Sequence, residues 1–71
     1  MTHFEIKSDK LESDEINKWI RDHISGLEKK SVIVTTKFGH ITEIKIEKTL
    51  TVADKKKIIE KFPELEGKEI G

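Results

Sequence analysis

His23 is the side chain in this sequence whose surroundings raise the sharpest question about acid–base or metal chemistry. It lies in the stretch NKWIRDHISGL, among the apolar residues Trp19, Ile20 and Leu27. A metal ligand or a general base on a helix needs polar partners three or four residues away, and His23 has none at those positions. We therefore expect His23 to be a structural residue in the core or at its boundary, rather than a ligand or a base.

Two groups of carboxylates are the next candidates for acid–base work or cation binding. They are Glu12, Asp14 and Glu15, and then Glu64, Glu66 and Glu69. Neither group has the spacing of a calcium loop or an apolar pocket that would raise a carboxyl pKa. No GxSxG motif and no glycine-rich phosphate loop is present. The sequence thus predicts no catalytic residue, no metal site and no cofactor, and we expect a protein that is not an enzyme.

One basic cluster could serve nucleic-acid recognition. Its members are Lys48, Lys55, Lys56, Lys57 and Lys61. The whole chain has 14 basic and 14 acidic side chains and a formal net charge of zero. Most nucleic-acid-binding domains carry a clear positive excess, and a short charge run is usually a solvated helix face. A nucleic-acid-binding or regulatory role for this cluster is therefore the alternative function, not the favoured one.

Length and composition are those of one small folded domain of 71 residues. We assign residues 1–63 to a single α+β domain and residues 64–71 to a polar tail or a short edge strand. The absence of cysteine excludes disulfides and thiolate metal sites, and it favours a cytoplasmic location. No segment is long and apolar enough to enter a membrane. The abundance of Lys, Glu and Ile is compatible with a thermophilic source.

The periodicity of the apolar residues predicts five elements in the order strand, helix, strand, strand, helix. The strands are expected at about 3–7, 31–36 and 40–48, and the helices at about 12–26 and 52–61. A right-handed crossover and a tight hairpin allow the sheet orders 1-3-2 and 3-2-1, and we prefer 1-3-2 because the third strand is the longest. Both helices then cover one face of a two-layer sandwich. The fold is ferredoxin-like if residues near 68–70 add a last strand.

The segment Lys37-Phe38-Gly39 predicts a three-residue hairpin loop between the second and third strands. The expected cross-strand pairs are Thr36 with His40, Val34 with Thr42 and Val32 with Ile44. This register leaves Ile33 and Ile41 together on the open face of the sheet, opposite the helices.

The second strand has the strongest indication of function. Its sequence SVIVTT has no charge before Lys37, and in the order 1-3-2 it is an edge strand with unpaired backbone groups. The candidate interaction surface consists of Ile33, Thr35, Phe38 and Ile41. We predict a small interaction module that forms a homodimer or binds an extended segment of another protein. The alternative interpretation is that this edge has no function and that the flanking lysines protect it from association.

Overall fold

The computed structural model describes all 71 residues and contains one antiparallel sheet of three strands with two α-helices. The strands are β1 (Thr2–Ser8), β2 (Val32–Lys37) and β3 (His40–Ile46). The helices are α1 (Ser13–His23) and α2 (Val52–Lys61), and two short 3-10 turns span Lys29–Ser31 and Pro63–Leu65. The sheet order is β1-β3-β2. The predicted small α+β fold with the third strand in the middle is thereby confirmed.

One hydrophobic core of 13 buried residues joins the sheet to both helices. Its members are Phe4, Ile6, Ile16, Ile20, Ile24, Val32, Ile41, Ile44, Ile46, Leu50, Ile58, Phe62 and Leu65. Both helices contribute to this single cluster, so they cover the same face of the sheet and leave the other face open. Ile16 and Ile20 are four residues apart, which places them on one side of α1.

The hairpin between β2 and β3 differs from the predicted one. Lys37 pairs with His40, so the loop consists of Phe38 and Gly39 alone, with φ of 53° and 78°. Positive φ at both central residues matches a two-residue type I′ turn, whose twist suits the flanking strands. The predicted pair of Thr36 with His40 was therefore wrong by one residue.

A bulge in β3 moves the register by one more residue. Thr35 pairs with Glu43 while Thr36 pairs with Ile41, so Thr42 has no partner on β2. An extra residue reverses the alternation of side chains along a strand. Ile41 consequently lies in the core, only 2% exposed, and its predicted place on the open face was wrong. Beyond the bulge the two predicted pairs were also wrong; the observed pairs are Val34 with Ile44 and Val32 with Ile46.

Residues 68–71 run along the outer edge of β1. Glu69 forms an antiparallel bridge with Phe4, and its carboxylate lies 2.7 Å from the Lys55 ammonium of α2. Three backbone bonds complete the contact, from His3 N to Gly71 O, from Glu5 N to Lys68 O and from Ile70 N to His3 O. The last strand of a ferredoxin-like layout is thus reduced to a single bridge. The outer edge of β1 is covered, whereas no segment pairs with the outer edge of β2.

Asn17 ties α1 to the beginning of β2. Its Nδ2 donates to the carbonyl oxygens of Lys29 at 3.0 Å and Val32 at 2.9 Å. Its Oδ1 accepts a hydrogen bond from the Arg21 Nε at 2.6 Å. One side chain therefore satisfies two carbonyls that have no place in the β2–β3 ladder, and it holds the helix against the edge of the sheet.

Replacing Asn17 by Ala should lower the free energy of unfolding by about 1–2 kcal/mol, because two backbone carbonyls lose their partner. Urea denaturation followed by far-UV circular dichroism measures this change. Lys18→Ala is the matched control, since Lys18 is exposed and a solvent-exposed ion pair such as that with Asp22 contributes little to stability. Equal stability of the two variants would contradict the role of Asn17.

Candidate functional site

The outer edge of β2 presents free backbone groups. Glu47 N donates to Ser31 O at 2.8 Å, and this hydrogen bond fixes which alternate residues of β2 bond to β3. In an antiparallel pair only alternate residues bond to the neighbouring strand, so Val32 and Val34 direct their N–H and C=O outward. Asn17 takes the Val32 oxygen. Val34 is left with both a donor and an acceptor at the open edge.

A groove of about 240 Å³ runs between α1 and this edge. It is lined by Ser13, Asp14, Asn17, Lys29, Val32 and Val34. The helix therefore stands beside the strand edge without sealing it. An extended segment that paired with β2 would place alternate side chains over this groove.

The four residues of the predicted interaction surface separate into two groups. Ile33 and Thr35 lie on β2, both exposed, and Ile33 retains 42% of its surface in solvent. Phe38 is 90% exposed at the tip of the hairpin. Ile41 lies in the core and does not belong to the surface. The apolar part of the open face is therefore confined to Ile33, next to the free edge.

The open face is otherwise polar. His3 of β1 lies opposite Lys45 of β3, which in turn lies opposite Ile33. The His3 Nε2 is 2.7 Å from the Glu43 Oε2, and the Lys45 Nζ lies 3.6 Å from the same oxygen. A carboxylate beside an imidazole can orient a base, but no hydroxyl is hydrogen-bonded to this pair. The arrangement neutralises charge on the sheet and leaves β2 as its most apolar border.

His23 is exposed, so it lies in neither of the places predicted for it, the core or the core boundary. The imidazole stacks on the Trp19 ring with centroids 4.1 Å apart and planes inclined by 13°. Its Nδ1 lies 2.8 Å from the Trp19 carbonyl oxygen. The buried line of the helix continues through Ile20 to Ile24, and a residue one position before Ile24 is turned about 100° away from that line. The apolar neighbours of His23 in sequence thus face the core while His23 itself does not.

A solvent-facing ion pair lies on the same helix. Lys18 donates to the Asp22 carboxylate at 2.8 Å, four residues along the helix. This hydrogen bond lowers the pKa of Asp22, and the positive charges of Lys18, Arg21 and His23 act in the same direction. The pair is an ordinary helix-surface contact and brings no further group into a site.

The five lysines of the basic cluster do not form one free surface. The Lys48 Nζ donates to the Ser25 carbonyl oxygen at 2.8 Å, and Lys55 is paired with Glu69. Lys56, Lys57 and Lys61 remain exposed on α2. Since two members are held by internal contacts, the structure offers less support for nucleic-acid binding here than the sequence does.

The hairpin end contains a feature that the sequence reasoning missed. An open depression of about 770 Å³ lies beside Phe38. Its lining residues are Glu5, Ile6, Lys7, Lys37, Phe38, His40, Thr42 and Glu43. Only the bulge and the pairing of β3 with both neighbours bring these residues together. The one signal in the sequence is a bulky aromatic residue directly before the turn glycine, where type I′ turns favour Asn or Asp.

Replacing Phe38 by Asn should raise the free energy of unfolding by about 1 kcal/mol. A residue with a Cβ is strained at positive φ, Asn tolerates that region best among such residues, and the exposed ring contributes little packing. Urea denaturation of the variant and the wild type measures the gain. Phe38→Ala is the matched control, because it removes the ring but keeps the strain. If both variants had the same stability, the backbone at residue 38 would not be the cause.

The rest of the structure offers neither a metal cluster nor a membrane span. No three His, Asp or Glu side chains converge as metal ligands would. Neither α1 nor α2 has the length and apolar character needed to cross a bilayer. Comparisons with known protein families, curated proteins and solved structures found no match for this chain. The geometry of the β2 edge and of the hairpin end is therefore the basis for inferring function.

Proposed function

We propose that this protein is a small non-enzymatic interaction module that forms a homodimer by antiparallel pairing of its β2 edges. One observation carries the proposal: β2 has an uncovered outer edge, at which Val34 directs its N–H and C=O away from β3. Residues 68–71 cover the corresponding edge of β1. Unprotected strand edges pair with other chains, and identical edges pair readily about a two-fold axis.

A two-fold axis beside Val34 makes the edge complementary to itself. Val34 of one copy then lies opposite Val34 of the second copy, and Val32 lies opposite Thr36. No charged side chain occurs between Val32 and Thr36, so the centre of the interface is free of like-charge repulsion. The two sheets would join into one continuous sheet of six strands.

The open face supports the same arrangement. In this register Ile33 of each copy lies opposite Thr35 of the other, which covers the exposed part of the Ile33 side chain. Burial of apolar surface then adds to the backbone bonds. Both contributions come from residues on or next to the β2 edge.

The lysines at the ends of β2 should make dimerisation depend on salt. Lys37 of one copy lies opposite Ser31 of the other, next to Lys30. Exposed like charges repel less strongly as ionic strength rises. Dimerisation should therefore strengthen with added salt, whereas binding of nucleic acid through lysines weakens.

Ile33→Lys should weaken dimerisation at least about tenfold in Kd, which corresponds to 1.4 kcal/mol. The variant replaces apolar contact with a further positive charge near Lys30 and Lys37. Sedimentation equilibrium over a concentration series measures the Kd. Val52→Lys is the matched control, because Val52 is also an exposed β-branched residue, 83% exposed, but lies on α2.

Amide NMR spectra recorded on the same samples report which surface associates. Shifts that change with protein concentration should centre on Val34 and Thr36 and be absent at Glu69. A wild-type protein that stays monomeric, or an Ile33→Lys variant that dimerises as well as wild type, would overturn the proposal. So would salt-sensitive shifts of residues 48–61 with short DNA or RNA, which would favour the nucleic-acid alternative.

The cellular setting proposed for this module is the cytoplasm. Small secreted domains usually need disulfides to compensate for a limited core, and this chain contains no cysteine. A dimer that doubles the sheet offers such a domain another source of stability.

A further inference from the structure

The depression at the hairpin end combines an aromatic ring with uncompensated charges. It is bordered by the ends of β1 and β2, the beginning of β3 and the turn between β2 and β3, and it is an open space of about 770 Å³. That volume is in the range of pockets that hold small molecules. It lies at one end of the open face, separate from the groove between α1 and the β2 edge.

Phe38 gives the depression a flat apolar wall. Its ring is 90% exposed, and its backbone is held at φ of 53°. A bulky residue in the left-handed region is strained, and here no burial of the ring compensates for the strain. Backbone outliers of this kind cluster at active sites and ligand-binding sites. An exposed ring is a platform on which a planar ligand can stack, here on the face away from the Lys37 ammonium.

Two lysines at the same site have no ionic partner. Lys7 and Lys37 make no ion pair with a carboxylate, and the Lys37 Nζ lies 5.7 Å from the Phe38 centroid. Glu43 is already engaged by His3 and Lys45. Glu5 is the one carboxylate of the lining without such a partner. The free charges of the depression therefore have a positive excess, which complements an anion.

His40 adds an unsatisfied polar atom to the same lining. Its Nδ1 is shielded from solvent and has no hydrogen-bond partner within the fold. Buried polar groups without a partner are uncommon, because leaving one unpaired costs free energy. Because solvent does not reach it, this atom offers no contact to a molecule in the depression.

We propose that this depression binds a nucleoside monophosphate. The planar base stacks on Phe38, and the phosphate lies between the ammonium groups of Lys7 and Lys37. Glu5 is available to accept hydrogen bonds from the sugar hydroxyls or from an amino group on the base. A single nucleotide fits the charge pattern better than a strand, because the unpaired carboxylate of Glu5 would repel a continuous phosphate backbone.

The probe for the experiment is AMP, with adenosine and inorganic phosphate as its two halves. Amide NMR titration should show saturable shifts at Lys7, Lys37, Phe38 and His40, with a Kd of about 1 mM or tighter. Each half alone should bind at least about tenfold more weakly, since it uses only the ring or only the lysines.

Two variants test the roles of the ring and of the charge. Phe38→Asn keeps a residue suited to the turn and should weaken AMP binding at least about fivefold through loss of stacking. Lys37→Ala should weaken AMP and phosphate binding while leaving adenosine binding unchanged. Lys56→Ala, which removes an exposed lysine from α2, is the matched control and should bind AMP as the wild type does.

Several results would overturn the proposal. One is the absence of saturable shifts with AMP, and another is AMP binding by Phe38→Asn that is as tight as that of the wild type. Phosphate alone could shift the same amides with the affinity of AMP, which would show attraction of any anion. Single-stranded oligonucleotides could bind more than about tenfold tighter than AMP, which would indicate a strand-binding surface instead. The site shares Lys37 with the end of the proposed dimer interface. Phe38→Asn leaves the β2 edge intact, so sedimentation equilibrium of this variant separates loss of AMP binding from loss of dimerisation.

Discussion

The bulge at Thr42 is the constraint on which the arrangement of this sheet depends. β3 is the central strand, and its apolar residues Ile41, Ile44 and Ile46 are spaced by three and then by two positions. Strict alternation would place Ile41 on the face opposite the other two. One extra residue brings all three into the core, where each is 2% exposed or less. The same irregularity removes an apolar side chain from the open face and shapes the hairpin end.

The two outer edges of the sheet differ in the hydrogen bonds they receive, and this difference leaves the β2 edge free. The border at β1 receives backbone bonds from residues 68–71, whereas the border at β2 receives only the side-chain amide of Asn17. The segment between β3 and α2 is held by Thr2 of β1. The Thr2 hydroxyl donates to Lys48 O at 2.9 Å and accepts from Leu50 N at 3.1 Å. These contacts satisfy backbone groups between β3 and α2, at a distance from the Val34 edge.

The three histidines show how one residue type takes different roles in a small protein. His3 is paired with Glu43 on the open face, His23 is stacked on Trp19 outside the core, and His40 has a shielded Nδ1 at the hairpin end. The environments of His3 and His40 do not follow from sequence neighbours alone, whereas His23 contacts a residue four positions away on the same helix. The lysines show the same effect, since Lys48 and Lys55 are held by distant partners while those near them in sequence stay free.

The sequence by itself determined the order of the elements and their approximate bounds, and it favoured the sheet order 1-3-2, in which β2 is an edge strand. These features follow from local periodicity, turn residues and the short connections between strands, all of which act over a few residues. Only the tertiary structure decided the register of the hairpin, the burial of Ile41, the exposure of His23 and the depression beside Phe38. The register, the burial of Ile41 and the depression depend on contacts between strands, because the bulge in β3 changes which side chains meet β2 and a second register shift lies between Glu5 and Ser8 of β1. The exposure of His23 depends on which side of α1 packs against the sheet. The edge part of the candidate site was therefore predictable, and the hairpin-end part was not.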